Sequence, residues 1–315
     1  MEADANLRLT CGSVTLTKLP RCCGVYRFLN ADARPLYIGK SIDLGARINS
    51  HFAQAKGTGR VRGMLQSVEG IDCELTAGEL GALLIENAAI KAEAPLYNQA
   101  QKRSRKLWTQ RLKRDARGFL QVQLSDFCPD SLAAESVYGL FRSQTHLKKT
   151  LRLLARDQKL CLRILGLERG TGPCFARQIG HCAGACIGAE TPDEHNARLV
   201  RALEKQQIAA WPFSSQVILM ERCDEKSHKL QPETQYHLVD RWVYLGTFAT
   251  LADAQHAALH NTKLHFDRDT YHIVLRAMRL RQCGIISAID GSELTNPMAV
   301  IDTDSNRAPV EALSG

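Results

Sequence analysis

The apolar positions of the first hundred residues switch period from two to four and back. Val25, Arg27 and Leu29 alternate with Gly24, Tyr26 and Phe28, the pattern of a strand. Asn30 to Pro35 is turn chemistry, and Leu36-Tyr37-Ile38 returns as a second strand, so a β-hairpin is expected. Leu44, Ile48 and Phe52 then recur every four residues, a helix that Ser41 can cap. Arg47 and His51 stand one turn apart on a neighbouring face of that helix. A Gly-rich loop over 56–63 follows, then a short strand on Ile71, Cys73 and Leu75. A second helix opens at Gly78 or Glu79 and runs to about Glu93, and Pro95 to Asn98 closes the unit.

Beyond Gln101 the pattern breaks into a basic stretch, Lys102, Arg103, Arg105, Lys106, Arg111, Lys113, Arg114 and Arg117, interrupted by Asp115 alone. Leu120, Val122 and Leu124 alternate as a half-buried strand, and Leu147, Leu151 and Leu154 predict a helix ahead of a cysteine cluster. After Trp211-Pro212-Phe213, strands are expected at 217–220 and 236–245 and helices at 252–260 and 271–281. The fold class is α+β: an antiparallel sheet with flanking helices over 12–101, a basic linker and cysteine-rich region over 102–212, a small α/β extension over 213–286, and a disordered tail over 287–315.

Composition narrows the class. Hydrophobic content of 44% and 23% charged residues describe an ordinary soluble protein long enough for two domains. The net charge is +8, and the tail carries Asp290, Glu293, Asp302, Asp304 and Glu311 against Arg307 alone. The remainder is therefore more basic still, which favours a polyanion such as nucleic acid, or serves solubility alone. Met1 to Leu9 has no apolar core, and no apolar run approaches the ~18 residues that span a bilayer, so a cytoplasmic location is expected. In that compartment the 11 cysteines stay reduced, and clustered thiols bind metal more often than they form disulfides.

Glu86 is the most telling single residue. Its neighbours at helical spacing, Ala82, Leu83, Ala89 and Ile90, are all apolar. A carboxylate on such a face requires a divalent ion or an arginine, Arg47 for instance. Magnesium tolerates a single carboxylate because it keeps waters and shares substrate phosphates. Arg47 is either a phosphate ligand or a solvated helix cation. Tyr26 and Tyr37 are either core aromatics or phenols whose pKa a neighbouring Lys40 would lower for proton transfer.

Gly24-Val25-Tyr26, Tyr37-Ile38-Gly39-Lys40, Arg47, Glu86 within Leu83 to Asn87, and Tyr97-Asn98 together resemble the GIY-YIG nuclease domain over residues 19–100, in the variety of the UvrC family, whose proline before the first motif is Pro20. The resemblance implies that Glu86 binds the catalytic Mg2+ or Mn2+, Tyr26 activates water and Arg47 stabilises the transition state, with Tyr37, Lys40 and Asn98 supporting. His51 departs from the tyrosine usual in that family and leaves the general base open.

Cys161, Cys174, Cys182 and Cys186 give C-x12-C-x7-C-x3-C. Four such thiolates hold zinc or an iron–sulfur cluster, or remain buried and unligated. The UvrC resemblance implies a 4Fe–4S cluster, although Cys161 precedes Leu162-Arg163 where the family's cysteine follows its Leu-Arg pair. Cys11, Cys22, Cys23, Cys73, Cys128, Cys223 and Cys283 are scattered and read as structural. After residue 215 there is no RNase H-like acidic constellation, no tandem helix-hairpin-helix and no evident UvrB-binding segment, so the resemblance is to the short Cho type of the family.

That resemblance implies one metal-dependent incision on the 3′ side of a lesion, with UvrA and UvrB as partners. Lys102, Arg103, Arg105, Lys106, Arg111, Lys113 and Arg114 would hold DNA phosphates or form a solvated charge run. Two other readings stay open: a structure-specific nuclease on branched or flapped DNA that needs neither UvrA nor UvrB, and a non-catalytic DNA-binding module with a structural metal cluster.

Overall fold

Strands β1 (Asn6–Thr10), β2 (Gly24–Leu29), β3 (Pro35–Ser41) and β4 (Gly70–Leu75) form an antiparallel sheet in the order β1-β4-β2-β3. The computed structural model describes residues 6–10, 19–54, 59–98, 106–129, 136–224, 229–260 and 265–299. The alternation along β2 sorts its side chains onto two faces. Tyr26 and Phe28 pack with Leu44 and Ile48 of α1 (Leu44–Gln54) and Met64 and Leu65 of α2 (Arg60–Gln66). Val25 and Ile38 face Ala82, Ile85 and Ala89 of α3 (Glu79–Glu93). The loop expected over 56–63 thus gives way to a helix from Arg60, because Met64 and Leu65 carry it into the core.

The chain divides into two compact units, one made of Met1–Lys102 with Pro212–Gly315 and the other of Arg103–Trp211. In the second unit β5 (Trp108–Arg114) lies between β6 (Leu120–Asp126) and β7 (Val137–Phe141). The basic stretch is therefore a sheet strand from Trp108 onward, with Thr109 and Gln110 buried, and not a linker. Helices α4 (Gln144–Asp157), α5 (Phe175–Gln178) and α6 (Pro192–Glu204) complete that unit. Ser143 caps α4, and Thr191 with Glu194 forms a capping box on α6.

The C-terminal strands β8 (Val217–Arg222), β9 (Thr234–Asp240), β10 (Val243–Phe248) and β11 (Gly284–Ser287) form an antiparallel sheet ordered β10-β9-β8-β11. Helices α7 (Leu251–His260) and α8 (Arg268–Arg279) accompany it, and α8 packs on α3. This segment, expected as a small α/β extension, shares a compact unit with the first sheet. Part of the expected tail is also bonded: Leu294 N donates to Ile285 O, and Asn296 Nδ2 to Met278 O. Residues 300–315 lie outside the described residues. Among the described residues no helix is long and apolar enough to cross a membrane.

Candidate active site and metal centre

The two glycine motifs are explained by close approach. Gly39 lies opposite Tyr26 in the β2–β3 ladder, and a Cβ there would come 2.5 Å from the Tyr26 hydroxyl and 2.6 Å from its ring. A Cβ at Gly24 would come 2.4 Å from the Glu74 carbonyl. Gly39 thus leaves room for the Tyr26 phenol, and Gly24 for the backbone of β4.

Tyr26 is fully buried, and its Oη stands 2.7 Å from His51 Nε2 on α1. Burial, with the nearby Tyr37 phenol, pushes the Tyr26 phenol well above the usual tyrosine range; the neighbouring Arg47 guanidinium opposes that shift. His51 is held below the ordinary histidine value by burial and by the Arg47 charge. The pair is therefore a protonated phenol against a neutral imidazole near neutral pH. The Arg47 charge acts on both phenols, so α1 brings its cation to the hydroxyl edge of the hairpin. The rings of Tyr26, Tyr37 and His51 pack within 6.0 Å of one another, centroid to centroid.

Glu86 projects from α3 toward β3, where its Oε1 accepts the Lys40 backbone N–H at 3.0 Å. Burial raises its pKa, and the Lys40 hydrogen bond with the Lys40 and Arg47 charges offsets part of that rise. No cation stands within ion-pair distance of Glu86 among the described residues, so the pairing with Arg47 weighed from the sequence does not form. The Lys40 ammonium is also elsewhere: it pairs with Glu79, not with a phenol. Asn98 sits behind the chemistry. Its amide accepts from Ile38 N at 2.9 Å and donates to Ile38 O at 2.8 Å, which caps the open edge of β3. Tyr26, Tyr37, Arg47, His51 and Glu86 thus surround one edge of the hairpin, with Lys40 and Asn98 holding its backbone.

In the second unit, the Sγ atoms of Cys161, Cys174, Cys182 and Cys186 all lie within 4.8 Å of one another. Without a cation, burial pushes the Cys161 and Cys174 thiols up to about 11. A bound cation inverts that balance and makes thiolates of them. The donor set fits a four-thiolate metal site. Around one tetrahedral ion with bonds of ~2.3 Å, sulfurs stand ~3.8 Å apart; an iron–sulfur cubane spreads its thiolates farther. His195, which the sequence reading missed, supports the nest. Burial lowers it to about 4, and its neutral Nε2 accepts the Cys161 N–H at 3.2 Å.

The expected DNA contacts divide. Lys102, Arg103 and Arg105 lie outside the described residues. Lys106 pairs with Asp126 at 2.8 Å and covers the Trp108 ring, Arg114 donates to Gly118 O, Arg111 is half-buried, and Lys113 is exposed. A cleaner cationic face lies on α4, where Lys148, Lys149, Arg152 and Arg156 are exposed and, among the described residues, only Arg156 has an acidic partner, Asp157. Their spacing of three and four residues was legible in the sequence and was overlooked beside the denser run at 102–117.

Three family models match the chain: a UvrC-like GIY-YIG domain over residues 22–99, the middle domain of UvrC/Cho excinucleases over 109–205, and the excinuclease Cho C-terminal domain over 216–291. The chain is 35% identical over 275 residues to the excinuclease cho of Salmonella typhi, covering 86% of this chain and 88% of that protein. It is 32% identical over 194 residues to the UvrABC system protein C of Nitrosomonas europaea, covering 58% of this chain and 30% of that protein. The N-terminal GIY-YIG endonuclease domain of UvrC from Thermotoga maritima, bound to magnesium as its catalytic divalent cation, is similar at 29% identity over 26% of this chain and 90% of that one, with a TM-score of 0.25. With its phenol, imidazole, guanidinium and carboxylate gathered on one hairpin edge, the chain belongs to the UvrC/Cho excinuclease family of GIY-YIG nucleotide excision repair nucleases.

Proposed function

We propose that the protein makes a single incision 3′ to a lesion in DNA that UvrA and UvrB have processed, in the cytoplasm, with Tyr26, Tyr37, Arg47, His51 and Glu86 at the cut. The observation that carries this reading is the 2.7 Å contact between Tyr26 and His51 beside Arg47, with a buried carboxylate, Glu86, that forms no ion pair among the described residues. Glu86 would hold a divalent ion, Mg2+ or Mn2+, which supplies Lewis-acid polarisation of the phosphate and stabilisation of the leaving oxygen. Tyr26 takes a proton from the attacking water as it passes its own to His51 Nε2. This division follows from a phenol too basic to ionise alone beside an imidazole too weakly basic to be charged. Arg47 receives the charge that builds on the phosphate oxygens, with Tyr37 orienting them. Lys40 and Asn98 fix β3, and so the reach of Glu86.

Duplex DNA would be held through its phosphates by α4, together with Lys106, Arg111, Lys113, Arg114 and the neighbouring Lys102, Arg103 and Arg105, without sequence preference. Cys161, Cys174, Cys182 and Cys186 would hold a structural metal centre. The resemblance to UvrC favours a 4Fe–4S cluster, and the close spacing of the sulfurs favours one zinc ion. Iron content with broad absorbance near ~400 nm in protein purified without air establishes the cluster; stoichiometric zinc replaces it.

The deciding assay is nicking of a lesion-bearing duplex with magnesium, with and without UvrA and UvrB, by the wild type and Glu86→Ala. One cut on the 3′ side that requires UvrA, UvrB and Glu86 supports the proposal. Cleavage of undamaged branched DNA by the protein alone replaces it with a structure-specific nuclease. Nicking that Glu86→Ala leaves unchanged removes the catalytic assignment.

A further inference from the structure

Helix α3 carries Glu86 yet supplies no side-chain cap of its own, since its N-cap is Gly78. The missing cap arrives from 140 residues downstream. Glu221, on β8, accepts Leu80 N at 2.8 Å with one carboxylate oxygen and Gly81 N at 2.9 Å with the other. Gln235 of β9 accepts Ala77 N at 2.9 Å, and Gln231 donates to Thr76 O at 3.3 Å. The turn between β4 and the first turn of α3 is thus gripped by the C-terminal sheet.

Two independent features show that the grip is specific. Glycines stand where it closes: a Cβ at Gly78 would come 2.4 Å from Glu221 Oε1, and one at Gly81 would meet Glu221, Gln235 and His237, each at 3.0 Å. Behind Glu221 lies a buried polar chain. His237, with no exposed surface, places Nε2 3.3 Å from Glu221 and Nδ1 2.8 Å from Thr247 Oγ1, which is 2.6 Å from the Tyr244 hydroxyl. An ionised Glu221 only accepts, so His237 Nε2–H donates to it, Thr247 donates to Nδ1, and Tyr244 donates to Thr247. Burial pushes the Tyr244 phenol up to about 12, which keeps that last donor protonated.

The far end of α3 is held as well. Asn87, next to Glu86, donates to Asp267 at 2.8 Å and to Thr270 at 2.9 Å, and Lys91 pairs with Asp267 and Asp269 at the start of α8. Glu86 lies between these ties, about 8 Å along the axis from the Glu221 cap. The oxygen it presents beside Lys40 N therefore depends on the height and rotation of a helix whose two ends belong to the C-terminal segment.

We infer that the C-terminal segment is a working part of the nuclease, and that Glu221 is a positioning residue that sets α3 so that Glu86 meets its divalent ion. The inference rests on the reading of Glu86 as the metal ligand. All the C-terminal residues of the grip fall within the segment matched by the excinuclease Cho C-terminal domain, 216–291. That segment then serves Glu86 from behind, as outer-shell partners serve metal ligands elsewhere.

The test is a titration of the full chain with Mn2+ alone, followed by electron paramagnetic resonance, with thermal midpoints measured in parallel. Glu86→Gln is expected to abolish binding at this site; unchanged binding would remove the underlying ligand assignment. Glu221→Gln keeps the shape but turns an amide NH2 toward a backbone N–H, and is expected to weaken Mn2+ about 10-fold. Its half-saturating Mg2+ for nicking should rise by a similar factor, with the rate at saturation nearly unchanged. A lower midpoint with unchanged Mn2+ affinity would show a purely structural tie and overturn the inference, while Glu86→Gln still reported the ligand. If Glu221→Gln fails to fold, Gln235→Ala decides: a roughly 3-fold weakening supports the inference and no change overturns it.

Discussion

At the scale of single residues, the proposed metal ligand Glu86 carries a cost in stability where it ionises. Its carboxyl is raised by burial, so in the metal-free protein its contribution is fully present below the ordinary carboxylate value and lost as pH rises through the raised one. Glu86→Gln is therefore expected to raise the thermal midpoint at pH 7 in magnesium-free buffer, to leave it unchanged below about pH 4, and to lower nicking at least ~100-fold. His51 gives a second prediction. Burial and Arg47 hold its pKa below the usual value, so the part of the acid limb of the rate due to His51 lies below about pH 6.5. His51→Phe should lower the rate by about 100-fold above that range and remove this limb, leaving the limb of Glu86; His51→Tyr should restore a phenolic relay and much of the rate.

Among elements, the β2–β3 ladder works as a jig. Tyr26 lies on Gly39 because the register sets them opposite and nothing projects between them. Gly39→Ala is expected to push the phenol off His51 and lower nicking about 100-fold, a displacement of the ring that loss of the 2.7 Å contact in a crystal structure would report. Helix α4 offers the element-level test of DNA binding. Its exposed Lys148, Lys149 and Arg152 lack acidic partners among the described residues. Replacing all three by alanine should reduce the slope of log affinity against log salt by about 2 to 3, equally for any DNA sequence. An unchanged slope would return α4 to the role of a solvated face.

On the scale of the whole molecule, both units have apolar cores, Leu151, Leu165 and Leu199 among those of the second, and the second adds a nest of cysteines. The unit that contains the nuclease sheet has apolar layers on both faces of β2, centred on Phe28 and Val25. In the unit Arg103–Trp211, the segment around Phe119, Ile164 and Ala176 surrounds the four cysteines. Cys174→Ser is expected to lose the bound metal and to make that unit protease-sensitive, which metal analysis and limited proteolysis would report. Retention of full metal content would show that three thiolates and a water suffice.

Much of the proposed nuclease site was legible because its signals are local. The hairpin, the Arg47–His51 face and the apolar surroundings of Glu86 are all set by spacing within one element, and spacing is what a sequence displays. The cysteines were legible by number, and the structure gathered them, Cys161 included. What the chain alone left open depends on residues far apart in sequence. Lys40 looked placed for a phenol until Glu79 claimed its ammonium. The region 213–286 read only as a small α/β extension, because Glu221 and Gly81 are 140 positions apart and no periodicity links them. The sequence by itself thus determined which chemical groups the site has and on which elements they ride. Only tertiary structure decided which phenol meets the imidazole, which carboxylate stays unpaired, and whose side chains hold the helix of Glu86. Such pairings are set by packing across the core, which local pattern does not encode.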